Sequence, residues 1–138
     1  RVKLDPDWHR GGLLGQGSIL TVTSFNNRTS IVRRGKWILD NILVAPPPPP
    51  PPNIPALVET GGAKFMTVRQ QMDAHRNNPI CASCHNKIDP LGFALENYDA
   101  IGAWRTEANG QKLDVSATAP DGYAFTGASG TQAATMLS

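Results

Sequence analysis

The sequence predicts a mainly α-helical fold with substantial loop and a small β-hairpin, folded as one unit around a single core. Three observations lead there. Two stretches place apolar side chains at helical spacing, an unbroken run of seven prolines lies between them, and Asn109-Gly110 marks a tight hairpin turn further on. The 138 residues are enough for one ordinary core and not for two. With 17% charged and 40% apolar residues, the composition is neither that of a disordered chain nor that of a membrane protein, and no apolar run approaches the ~20 residues that span a bilayer. Residues 1–52 carry seven basic and three acidic side chains, and 53–138 carry six and eight. That asymmetry is too weak for a nucleic-acid binder. No leader-like segment stands ahead of Arg1, so a processed or excerpted chain is expected.

Arg1 to Thr23 reads as loop with short extended pieces, punctuated by Gly11, Gly12, Gly15 and Gly17. Its apolar run Ile19, Leu20, Val22 fits either strand or helix. From Ser30 the period is helical, with Ile31, Ile38, Leu39 and Ile42 on one face and Thr29 or Ser30 as N-cap. Gly35 lies on that apolar stripe, where it costs about 1 kcal/mol relative to Ala. Close approach of another backbone, or of a flat ring, is one explanation; a poor helix former tolerated in place is the other. Arg33, Arg34 and Lys36 read as a solvated face, with an anionic group or acidic partner as the sharper alternative. Pro46 to Pro52 must be polyproline II, roughly 22 Å of stiff strut at ~3.1 Å per residue. The division is then 1–52, an N-terminal loop and helix segment ending in the strut, and 53–138, the remainder of the same folded unit.

After the strut, Lys64 to Arg76 is helical again, with Phe65, Val68, Met72 and His75 on one face. Asp89 and Pro90 read as an N-cap and N1 proline opening a short helix through Leu91, Phe93, Leu95 and Tyr98. Asn109-Gly110 and Asp121-Gly122 mark turns, and Thr131 to Ser138 reads as the beginning of a further helix.

The chemistry is concentrated between these helices. Cys81, Ala82, Ser83, Cys84 and His85 spell C-x-x-C-H, the attachment signal for a c-type haem. Two thiols one helical turn apart can add to the two vinyl groups on one porphyrin edge, and the following His becomes the axial iron ligand. Three rivals are weighed against this. A thioredoxin-like pair wants a buried strand before it, where Asn77, Asn78 and Pro79 stand instead. A zinc site wants four ligands, and His9, His75 and His85 are scattered. Two inert thiols beside a chance His is the plainest case. The expected cofactor is one haem c, so the fold class becomes a compact c-type haem domain with a polyproline strut. The haem-contact candidates are Met72, Arg76, Ile80, Ile88, Leu91, Phe93, Leu95, Trp104 and Arg105. Arg76 and Arg105 are the partners proposed for propionates, against the ordinary reading of surface arginines.

The run His75, Arg76, Asn78, Pro79, Cys81 to His85, Asp89 to Asp99, Ile101, Gly102, Trp104 and Arg105 resembles the cytochrome module of planctomycete-type cytochrome c proteins. So do Arg10 to Leu14, Arg28 to Ser30, Arg34 to Trp37, Leu39 and the proline-rich passage. Those are large secreted multidomain proteins whose domains are mostly of unknown function. The resemblance implies a haem-bearing electron-transfer piece of a larger exported protein, periplasmic or extracellular, working with a redox partner or other subunits of an assembly. It also implies a continuation past Phe125 and Gly127 into a C-terminal helical region.

For the sixth iron position the candidates are His75, Met72, Met66, Met136 and His9. Met72 and His75 share an apolar face, imidazole binds iron more strongly than a thioether, and the resemblance places a His here, so His75 is named beside His85. Glu96, Asn97 and Asp99 look like an acid–base group, but hydrogen bonding to the loop around Gly102 is the simpler reading. No catalytic residue is expected. One-electron transfer is the expected activity, set against a haem enzyme or sensor with an open sixth position, and against an assembly module that haem only stabilises.

Overall fold

The structure, a computed structural model, describes residues 2–50, 52, 67–119 and 121–129. Its described part is compact and mainly helical with a little antiparallel sheet. A 3-10 turn at Pro6–Trp8 precedes α1 (Gly17–Val22), α2 (Ile31–Asn41), α3 (Val68–Arg76) and α4 (Pro79–Phe93). Two hairpins follow, β1 (Glu107–Ala108) with β2 (Gln111–Lys112) and β3 (Ser116–Thr118) with β4 (Ala124–Thr126). The ambiguous run Ile19 to Val22 is therefore helical, and Leu20 is buried. Pro46 to Pro50 form neither helix nor strand, whereas 53–66, including Met66, and 130–138, including Met136, lie outside the described residues.

The helix starts are set by local chemistry. Ser30 caps α2 by accepting from Arg33 N at 3.2 Å. Thr67 caps α3 in a reciprocal pair with Gln70, each side chain accepting from the other's backbone N–H. Asn78 caps α4, with Pro79 at N1 where its missing N–H costs nothing. This last cap corrects the sequence reading. Asp89 and Pro90 do not open a helix; α4 begins eleven residues earlier and runs straight through them. Pro90 lies inside α4 and has no N–H to give to the carbonyl of Asn86, so the helix passes it without that bond.

The core is built on the crossing of α2 and α4. Ile38, Leu39, Ile88, Leu91, Ala94, Leu95 and Tyr98 are buried together with Leu14, Leu20 and Phe125. Ile31, Met72 and Phe93 form a second cluster at the same junction. Gly35 is explained here. A Cβ on it would lie 2.0 Å from the carbonyl oxygen of Ile88, and a Cβ on Gly92 would lie 2.1 Å from that of Ile31. Each helix thus gives up a side chain where the other's backbone passes, so the flat ring weighed for Gly35 is not what occupies that space.

A buried charge pins the same junction from the side. Arg33, over the Phe25 ring, and Lys36, paired with Asp40, are exposed as expected, but Arg34 is 1% exposed, so the solvated face expected for it is wrong. Its guanidinium donates to the carbonyls of Leu95, Tyr98 and Asp99 and to Ser24 Oγ, and sits 3.5 Å from Glu96 Oε1. Burial lowers Arg34 to about 10. Arg105 donates to Glu96 Oε2 at 2.9 Å, and Thr29 adds a hydrogen bond at 3.0 Å. Desolvation raises Glu96 above the ordinary glutamate range, with Arg34, Arg105 and Thr29 pulling the other way.

Two of the three polar residues expected to tie down the loop beyond α4 do so, Asn97 and Asp99, whereas the Glu96 carboxylate bonds the side chains of Arg105 and Thr29. Asp99 Oδ1 accepts from the N–H of Ile101 and Ala103 around Gly102 (φ +81°), and Asn97 donates to Arg105 O. At the first hairpin Asn109 (φ 53°) and Gly110 (φ 74°) take the two left-handed positions of a type I′ turn.

Candidate functional site

The first half of α4 carries Cys81, Cys84 and His85. Continuity of the helix across C-x-x-C-H puts the two cysteines one turn apart, both free thiols and both partly exposed. Cys84 also packs against the main core cluster. His85 is held from below by the same helix: its Nδ1–H donates to Asp89 Oδ1 at 2.9 Å, one turn on. A carboxylate can only accept, so the proton belongs on Nδ1 and Nε2 is the ring nitrogen left for a metal.

Asp89 is 0% exposed, and its other oxygen, Oδ2, has no hydrogen-bond partner among the described residues. Among the described residues its cationic partner is Arg76, whose Nε lies 4.0 Å from Oδ2 and which also pairs with Asp73. Sequence reasoning missed Asp89 because the helix was drawn to start there. Drawn through from Pro79, the i, i+4 spacing of His85 and Asp89 is the signal that finds it.

His75 lies in the last turn of α3 and meets His85 edge to face, ring centroids 4.9 Å apart at 81°. The chain between them does not run extended. Asn77 N and Asn78 N bond back to Ala74 O and His75 O, so α4 starts at once. Desolvation lowers His75 below the usual histidine range and the neighbouring His85 adds to this, while Asp89 opposes. Two imidazoles on opposite sides of one metal ion are separated by two bonds of ~2 Å plus part of each ring. At 4.9 Å the two rings must part before both can serve one iron.

The remaining candidates fall into three places. Met72, Ile88, Leu91 and Phe93 are buried in the α2–α4 junction, where Met72 packs on Ile31 and Phe93. Arg76 borders the site through Asp89 and reaches toward the Phe93 ring at 5.7 Å; Arg69 lies over the same ring at 4.0 Å. These two arginines, Pro90, Phe93 and the β3–β4 hairpin line a cleft of about 440 Å³. Trp104 and Arg105 are engaged elsewhere: Trp104 stacks on His9 at 4.0 Å and meets Tyr98 edge-on, and Arg105 is bound to Glu96 and Thr29. Ile80 is exposed, and Leu95 is in the main core.

Among the described residues, no group of three or more His, Cys, Asp or Glu side chains converges on a point where it could hold a metal ion by itself. A metal held here must bring most of its own ligands. Two free thiols at i, i+3 and one oriented imidazole fit a haem iron, whose porphyrin supplies four nitrogens. Also among the described residues, no helix is long and apolar enough to cross a membrane.

The fold and site together define a mainly helical domain with a helix-borne C-x-x-C-H motif. The family model PSCyt3, described as a protein of unknown function (DUF1588), matches residues 10–108. The chain belongs to this family of planctomycete cytochrome c-related domains of unknown function. The match includes α1 to α4 and β1, and the β3–β4 hairpin that closes the cleft lies beyond it. No curated protein and no solved structure matches the chain.

Proposed function

We propose that the domain carries one covalently attached haem c and transfers single electrons, as part of a larger exported protein in the periplasm or outside the cell. The observation that supports this most is the helical C-x-x-C-H itself, with two free thiols one turn apart and His85 already committed through Nδ1. Cys81 and Cys84 would form the thioethers and His85 would be an axial ligand; the haem would supply the redox change. What the chain contributes is orientation. Asn78 and Pro79 start the helix, and Asp89 fixes the tautomer and rotation of His85. A redox partner protein, or other subunits of the same assembly, would deliver and accept the electrons.

The experiment is export of the chain in a host that matures c-type cytochromes, followed by acid–acetone extraction. Haem is expected to stay with the protein, Cys81→Ser and Cys84→Ser to lose or weaken that retention, and a chain that gives up all its haem would sink the proposal.

A second reading, a sixth iron position open to a small molecule, is favoured by two placements. Met72 is buried in packing, and His75 touches His85 instead of standing across from it. Carbon monoxide added to the reduced protein separates the readings. An unchanged spectrum means that a side chain, with His75 the first candidate, fills the position. A shifted Soret band means that it is open.

A further inference from the structure

We infer that Asp89 is the residue that sets the electron-donating strength of His85, and that Arg76 tempers it, so that the two together tune the reduction potential of the haem. The inference rests on the haem reading above. A carboxylate that merely completed a helix would stand at its surface, or would have both oxygens bonded. Asp89 does neither. It is 0% exposed, Oδ1 is 2.9 Å from His85 Nδ1, and Oδ2 is orphaned among the described residues. Burying a charged group with an unfilled oxygen is costly, and the two facing groups that offset it are the His85 ring and the Arg76 guanidinium at 4.0 Å. His75, the other titratable group close by, faces His85 in turn.

An acceptor on the far nitrogen of a metal-bound imidazole draws its proton outward and makes the ring a stronger donor, and a charged acceptor does this more than a neutral one. Stronger donation favours the ferric over the ferrous state and lowers the potential. Arg76 acts in the opposite direction, since a cation near Oδ2 withdraws charge from the carboxylate. Its second carboxylate partner, Asp73, leaves it shared between the two. Asp89 and Arg76 are thus positioning residues; neither is placed to touch a substrate.

The test uses the haem-loaded, exported protein and reads the midpoint potential. Acid–acetone extraction comes first. Loss of all haem from the wild type overturns the haem reading and this role of Asp89 with it; retained haem leaves the two separable. Asp89→Asn keeps an acceptor in place and removes the charge. It is expected to raise the ratio of reduced to oxidised haem tenfold at a fixed solution potential, which is about 59 mV for a one-electron couple. A potential equal to wild type, in a variant that keeps its haem, overturns the inference. Arg76→Gln leaves the buried pair intact, serves if Asp89→Asn does not fold, and is expected to move the potential down. No shift, or an upward one, overturns it. In the Asp89→Asn background the Arg76→Gln shift is expected to shrink. A shift of the same size in both backgrounds means that Arg76 acts on the haem independently, and it removes the coupling between the two residues.

Discussion

The two halves of α4 differ sharply in burial. From Pro79 to Lys87 every residue is partly or fully exposed, and this half holds the two thiols and His85. From Ile88 to Phe93 every residue is buried against α2 and its neighbours. One half is presented and the other is gripped, and a single helix joins them rigidly. The difference teaches how a small domain can hold reactive groups at its surface in a defined geometry. The precision comes from the buried half, and Asp89 carries it across the boundary to His85 at i, i+4.

The comparison breaks most easily at the glycines. Gly35→Ala and Gly92→Ala each push a methyl group into the facing backbone, and the helices must separate to admit it. Each is expected to cost about 3 kcal/mol or more, at the upper end of overpacking. In the exposed half Lys87→Ala is expected to change stability by less than ~0.5 kcal/mol. Urea titration of the three variants checks both numbers, and equal costs in the two halves would abolish the distinction.

Arg34→Met sharpens it. The variant removes the donor for three backbone carbonyls beyond α4 and leaves Glu96 with Arg105 and Thr29. Breaking a buried pair from one side costs about 3 kcal/mol. Amide exchange is expected to quicken around Leu95 to Gly102, with Pro79 to Cys84 little affected. Uniform quickening along the chain would show that the Arg34 cluster supports the whole fold and not that one junction.

The smallest effect is a pH dependence. Burial raises the Glu96 value above 4.5, so the folded chain holds this proton more tightly than the unfolded one. The resulting contribution to stability is complete below 4.5 and is lost as pH rises through the folded-state value. The stability difference between wild type and Glu96→Gln, measured by thermal melts, is therefore expected to move against the wild type as pH is raised from 4.5 to 7. Movement in its favour would mean that Arg34 and Arg105 outweigh desolvation.

The sequence by itself determined whatever is set within a few residues. The cap at Thr29 or Ser30, the type I′ turn at Asn109-Gly110, the hydrogen bonding of Asp99 around Gly102, and the C-x-x-C-H spacing all depend on neighbours within one turn of chain. The helical period of residues 31–42 was legible for the same reason, since its apolar residues recur with the turn of the helix. Only the tertiary structure decided the rest. Arg34 is indistinguishable from Arg33 and Lys36 in sequence, and it is buried because the chain some sixty residues later brings three carbonyls and a glutamate to it. Asp89-Pro90 has the local signature of a helix start. It becomes the last turn of a longer helix because Asn78 and Pro79 start α4 earlier and packing of Ile88 to Phe93 on α2 holds the helix together past the proline. Local rules fix what a residue can do next to its neighbours in sequence. Which of those possibilities survives depends on surfaces that meet only once the chain has folded.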